Sequence, residues 1–114
     1  MTYDLVIVGS GAAGLAAALY AGRYKMKTLV IEGEFGGETS TAGEIANYPA
    51  VKPIDGYDFM KLMKEQAGTI GAETKEAWVE KIEKEGDCFN IFTKEEELHA
   101  RTVILAIGSR RRHL

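Results

Sequence analysis

At 114 residues the chain is long enough for one domain with an apolar core, but short for a complete dinucleotide enzyme. Its 17 acids against 14 bases give a net charge of −3 and a pI near 5.4, a balance that argues against nucleic acid or an anionic membrane surface as partner. A single cysteine, Cys88, excludes an internal disulfide framework and a CxxC redox pair.

The first predicted strand covers residues 4–8, Asp4-Leu5-Val6-Ile7-Val8. A turn follows, Gly9-Ser10-Gly11-Ala12-Ala13-Gly14, and then a helix of small residues. A second strand, Thr28-Leu29-Val30-Ile31, ends in Glu32. Glycines spaced G-x-G-x-x-G are common by chance. Here they follow a strand, open a helix and precede an acid roughly 20 residues on, the context of a dinucleotide-binding turn. Gly9 permits the tight exit from the strand, Gly11 permits close approach of a pyrophosphate, and Gly14 lets the helix lie close on the sheet. The unpaired N–H groups and positive dipole end of the helix favour a phosphate there. Glu32 can accept hydrogen bonds from a ribose hydroxyl, and its charge disfavours a 2′-phosphate. Gly11 and Glu32 are therefore expected to carry most of the ligand recognition.

The strand pattern begins at Tyr3 and leaves no room for a signal peptide ahead of it. The most apolar stretch, residues 12–21, is too short and too rich in Gly and Ala to span a bilayer. These features set the expectation of a cytoplasmic protein without membrane contact.

After Glu32 the periodicity stops, and residues 33–43 are rich in Gly, Ser and Thr. Asn47-Tyr48-Pro49 and Pro53 extend this irregular run, whose length marks a functional loop over the carboxyl ends of the strands. Asp55 or Gly56 is positioned to cap a helix over residues 57–70, with Phe59, Leu62, Met63, Gln66, Ala67 and Ile70 at helical spacing. Residues 72–101 change period. Ala77, Val79 and Ile82 begin an alternating strand, Gly86-Asp87 turns the chain, residues 88–93 return, and a short third strand lies around residues 98–100. This pattern predicts an antiparallel meander. The run Lys94-Glu95-Glu96-Glu97 is a solvated turn within it. Residues 102–107, Thr-Val-Ile-Leu-Ala-Ile, then read as a buried parallel strand ending at Gly108. The whole predicts a Rossmann-like α/β fold, with parallel strands ordered 3-2-1-4 and a meander at one side.

With these pieces in order, the chain resembles the N-terminal FAD-binding segment of the low-molecular-weight thioredoxin reductase family over nearly its full length, residues 3–113. The likeness rests on the glycine turn extended by Ala18, on Glu32, on Gly36-Gly37, and on Glu44-Ile45-Ala46-Asn47-Tyr48-Pro49. It also includes the meander and Leu105-Ala106-Ile107-Gly108-Ser109. The resemblance implies that residues 1–114 form the N-terminal part of an FAD-binding domain. The parent enzyme would pass reducing equivalents from NAD(P)H through FAD to a disulfide protein such as thioredoxin. It further implies a cofactor site made of Gly9, Ser10, Gly11, Ala12, Ala13, Gly14, Glu32, Gly33, Gly37, Glu38, Asn47, Val79, Ala106 and Gly108. Val79 would offer its backbone to the adenine, and Asn47 would lie near the isoalloxazine.

Two positions depart from the family pattern. Glu38 replaces the usual Gln and has no amide donor for a flavin carbonyl. Ile107 replaces a Thr and removes a hydroxyl. The family continues into an NADPH-binding domain that carries the cysteine pair, and then into a last strand and helix of the FAD domain. Without those elements the 114-residue chain is expected to lack activity of its own, and no catalytic residue or metal ligand is assigned. Residues 102–107 are then expected at an exposed sheet edge, favouring self-association or a homodimer. Arg110-Arg111-Arg112 resembles the start of an interdomain hinge. The competing readings are a non-catalytic FAD- or ADP-binding module and a ferredoxin-NADP reductase-like flavoprotein without the cysteine pair.

Overall fold

A computed structural model describes residues 1–109. The expected hinge arginines at 110–112 lie outside the described residues. Eight strands and two helices follow one another as β1 (Thr2–Val8), α1 (Ala12–Arg23), β2 (Thr28–Glu32), a 3-10 helix (Gly37–Thr41), β3 (Glu44–Ile45), β4 (Ile54–Asp55), α2 (Gly56–Gly68), β5 (Glu73–Glu76), β6 (Lys81–Glu85), β7 (Cys88–Phe92) and β8 (Glu97–Leu105). Six strands form one sheet in the order β5-β2-β1-β8-β7-β6, and β3 and β4 form a separate hairpin. The pairs β5–β2, β2–β1 and β1–β8 are parallel, and β8–β7 and β7–β6 are antiparallel. The expected 3-2-1-4 order therefore holds, with the meander at one side.

β1 lies in the middle of the parallel sheet, so both of its faces are covered and Leu5, Val6, Ile7 and Val8 are all buried. Successive side chains point to opposite faces. Leu5 and Ile7 join Val30, Ala18, Ala21 and Ala67 beneath the helices. Val6 and Val8 join Leu29, Ile31, Ile91, Leu98 and Ala100 on the other face. The small residues of α1 bring it close to its neighbours, and a Cβ on Gly22 would stand 2.8 Å from Ile70, just past the end of α2. The Asp55 carboxylate caps α2 by accepting the Tyr57 N–H at 3.1 Å. On β1, burial pushes the Tyr3 hydroxyl pKa up, helped by its hydrogen bond to Glu73 at 3.1 Å.

Five expectations need correction. The third meander strand and the final parallel strand are one element: β8 pairs with β7 over residues 97–100 and with β1 along nearly its whole length. A strand can hold antiparallel and parallel partners on its two edges, and nothing in the run from Leu98 to Leu105 breaks it. Residues 102–107 are also not uniformly buried but exposed in part, as the expected sheet edge requires, with Leu105 62 % and Ile107 71 % exposed, because β7 stops pairing at Ala100 and among the described residues no layer covers the segment beyond it. The third parallel strand is β5, while residues 77–80 are irregular. β5 is an edge strand of polar residues held by backbone pairing to β2, so it leaves no apolar alternation to read. Finally, α2 buries Gly56, Met60 and Ala67 and exposes Leu62 and Gln66, so its inward stripe is rotated from the expected one. The irregular run after Glu32 also contains structure, the 3-10 helix and the β3–β4 hairpin.

The core on the meander face centres on Ile91, which is fully buried. Ile91→Ala is expected to lower the unfolding free energy by about 2–5 kcal/mol in urea titrations. A loss under about 1 kcal/mol would show that the meander contributes little to the core.

Candidate functional site

The carboxyl ends of β1, β2, β5 and β8 face one side of the sheet, where ligands of open parallel sheets bind. β1 leaves the sheet through Gly9, whose φ of +117° is open to glycine and strained for other residues. A Cβ there would also stand 2.0 Å from the Ala106 carbonyl oxygen. Gly14 packs on the same turn, with its absent Cβ 2.0 Å from the Gly9 carbonyl oxygen. Gly9 and Gly14 are thus glycines because backbone meets backbone.

Gly11 is different. The nearest atoms to its absent Cβ are Gly37 Cα at 3.8 Å and the Gly36 carbonyl oxygen at 3.9 Å, so a methyl group there would make ordinary van der Waals contact and displace no backbone. It is the N-cap of α1, where no side chain caps the helix and no acid lies in the first turn. The N-terminal N–H groups and the positive end of the dipole therefore meet a cleft with no carboxylate competing in that turn. Beside it, Ser10 is 1 % exposed and its Oγ has no hydrogen-bond partner. A buried hydroxyl without a partner is costly, and a ligand oxygen would satisfy it.

These groups open on a cavity of about 680 Å³. Its walls include Gly9, Ser10, Gly11, Gly33, Gly37, Glu38, Val79, Ala106 and Gly108. The structure therefore gathers nine of the expected site residues around one space. The Ala106 N–H donates to the Val8 carbonyl at 2.8 Å, which fixes the wall from β8 against the glycine turn. Glu38 lies in the first turn of the 3-10 helix, and Ile107 lies on the wall with no hydroxyl to offer.

Five expected residues sit elsewhere. Ala12 and Ala13 are exposed in the first turn of α1, and Gly14 is buried beneath it, so none of the three lines the cavity. Asn47 is exposed on the loop between β3 and β4, also outside the lining. Glu32 is 5 % exposed and lines a neighbouring cleft of about 580 Å³ with Gly33, Phe35, Glu76, Ala77, Trp78, Lys94 and Glu95. Its Oε2 accepts a hydrogen bond from Lys64 Nζ at 2.8 Å, and that ammonium also lies 5.2 Å from the centre of the Phe35 ring. Nearly full burial of a carboxylate requires such a partner.

Lys64 and Trp78 had not been singled out in the sequence. Lys64 lies four residues after Met60 and three before Ala67, so it shares the inward face of α2. A lysine on a buried stripe is the signal that a buried acid faces it. Trp78 adjoins Val79 just past β5 and forms a wall common to both clefts. Among the described residues, no group of three or more His, Cys, Asp or Glu could hold a metal, and no helix is long and apolar enough to cross a membrane.

The family model for pyridine nucleotide-disulphide oxidoreductases matches residues 3–114. The thioredoxin reductase of Mycolicibacterium smegmatis is 41 % identical over 114 residues, spanning 98 % of this chain and 37 % of that protein. The thioredoxin reductase of Peptoclostridium acidaminophilum is 44 % identical over 109 residues, spanning 94 % of this chain and 35 % of the relative. In structure, the thioredoxin reductase of Streptococcus pyogenes MGAS5005 superposes with a TM-score of 0.93 at 37 % identity, covering 99 % of this chain and 37 % of the other. The chain therefore spans little more than a third of the length of these relatives.

The two kinds of glycine predict opposite outcomes in urea unfolding. Gly9→Ala is expected to destabilise the fold by more than about 2 kcal/mol, because strain and a backbone clash coincide. Gly11→Ala is expected to change stability by less than about 1 kcal/mol. Equal losses at both positions would contradict the assignment of Gly11 to the open cleft.

Proposed function

The chain belongs to the pyridine nucleotide-disulphide oxidoreductase family, and from that premise we propose that residues 1–114 hold the ADP half of FAD in a thioredoxin-reductase-like flavoenzyme. One observation carries the reading: an uncapped helix N-terminus, an unpartnered buried hydroxyl and the cavity-lining Gly11 share one space. These groups fit a pyrophosphate, since each offers a hydrogen-bond donor or room for phosphate oxygens. Gly11 and the first N–H groups of α1 would hold the pyrophosphate, with the Ser10 hydroxyl donating beside them. Glu32 would accept from a ribose hydroxyl, and the backbone at Val79 would meet the adenine. The ribose contact requires the carboxylate to reach across the edge shared by the two clefts, at Gly33. FAD, when bound, supplies the redox chemistry between NAD(P)H and a disulfide protein such as thioredoxin.

The chain's own residues bind and orient. Its single cysteine, Cys88, is half-buried on β7 and forms no dithiol within the chain, so no catalytic residue is assigned. A non-catalytic ADP- or FAD-binding module is the second reading. An absorption spectrum of the purified chain separates the readings: a stoichiometric flavin band supports a self-sufficient FAD site, and ADP binding without it supports a half-site.

Calorimetry with ADP tests the site itself. Gly11→Val is expected to abolish binding by sterics, and Glu32→Ala to weaken it by about 1–3 kcal/mol through unpaired ribose hydroxyls. Unchanged affinity in both variants would remove the assignment.

Self-association is proposed for the outer half of β8. Beyond Ala100 its flank away from β1 carries no strand among the described residues, and Leu105 and Ile107 are exposed. Unpaired backbone groups beside apolar side chains favour a second chain. Light scattering is expected to give a mass above the monomer that Leu105→Lys reduces. A monodisperse monomer at micromolar concentration would refute it.

A further inference from the structure

Three neighbouring parallel strands end side by side in the order β1, β2, β5, and each ends in a different chemistry. β1 ends in the glycine turn and β2 in the acid Glu32. β5 is followed by Ala77 and Trp78. The Ala77 N–H donates to the Glu32 carbonyl at 3.1 Å, so the segment carrying the indole is fastened to the end of the strand that carries the acid. A nucleotide laid from the phosphate cradle across the strand ends meets these groups in its own covalent order: phosphate, ribose, base.

We propose that the Trp78 indole is the stacking surface for the purine base of the bound nucleotide. The assignment rests on the nucleotide-site reading above and extends it to a residue that the family resemblance had not supplied. Three carbons of the six-membered ring stand 2.6–2.8 Å from where a Cβ on Gly33 would be, so the ring lies face-on against that glycine. Only glycine at position 33 leaves room for it. Although 61 % exposed, the indole is thus seated on backbone at the common wall of the two clefts. Stacking on an aromatic face selects a flat base over a sugar or a phosphate, and it complements the hydrogen bonds expected from the Val79 backbone.

Trp78 is the only tryptophan in the chain, so its emission reports on the site without labelling. Titration with ADP is expected to change that emission saturably, at the concentration where calorimetry detects binding. Pyrophosphate, which has no base, is expected to bind weakly and leave the emission unchanged. Trp78→Ala is expected to weaken ADP binding roughly tenfold while leaving pyrophosphate binding unaltered, and Trp78→Phe to restore most of the loss. Gly33→Ala, which displaces the ring without removing it, is expected to weaken ADP in the same way. ADP binding with unchanged emission, or undiminished affinity in Trp78→Ala, would overturn the assignment. Tighter binding in Trp78→Ala would overturn it too, showing the ring to be a cover that the base must displace. Absence of heat from both ligands would overturn the nucleotide site itself, and the stacking role with it.

Discussion

The end of β1 is a place where main chains approach more closely than side chains permit. Gly9 lies against the Ala106 carbonyl, Gly14 lies against the Gly9 carbonyl, and the Gly9 N–H is held by Ile31 at 2.9 Å. Strands β8 and β2 and helix α1 are therefore positioned by contact with one glycine. The loop after β2 joins the same junction, where Gly36 donates to the Ser10 carbonyl at 3.3 Å. The cavity exists because these backbones converge and then diverge, and Gly11 is the first of these glycines at which a Cβ would meet its neighbours at ordinary contact distance. A rigid junction next to an open position suits a cleft that binds through backbone groups, since little conformational entropy remains to be lost on binding.

Charge around the site follows the same economy. The first turn of α1 carries no acid, so its dipole is not neutralised locally. The one deeply buried carboxylate nearby, Glu32, is balanced by Lys64, which reaches it from α2. The pair also fixes α2 relative to β2, joining the helical layer to the strand end. Lys64 is itself partly exposed, so the pair is screened more than a fully buried one, and its main effect is to hold the carboxylate in one place.

How much of this was legible in the sequence depends on which interaction fixes each element. The β1–α1–β2 unit was readable because periodicity, glycine spacing and the acid all point the same way. The jobs assigned to Gly9 and Gly14 match their surroundings, since each is a statement about backbone sterics. β5 was missed because an edge strand of Glu, Thr and Lys is held by its backbone, which leaves no trace in side-chain pattern. The continuity of β8 was missed because partner strands on either edge change along its length, and only tertiary pairing reveals that. Lys64 and Trp78 were missed for another reason. Their roles come from what faces them across the fold, a buried acid and a bare glycine, and single-segment patterns carry neither.

The register of β8 against β1 has a consequence in time. Thr2 pairs with His99 and Val8 with Leu105, so the two central strands of the parallel sheet come from opposite ends of the described chain. Closing so long a loop is entropically unfavourable until the pairing is complete, and long-range parallel pairing is intrinsically slow. The glycine turn and α1 emerge from the ribosome early, yet the cavity wall at Ala106 and Gly108 arrives only after β8. Until then the Val8 carbonyl lacks the Ala106 N–H, and the phosphate cradle lacks one side. A nascent chain therefore carries the glycine turn before the wall that completes the cavity, and ligand capture at the proposed site would coincide with closure of the sheet. At the proposed site, ligand present during synthesis would act on the pairing of β8 with β1 and leave the earlier β1–α1–β2 unit unchanged.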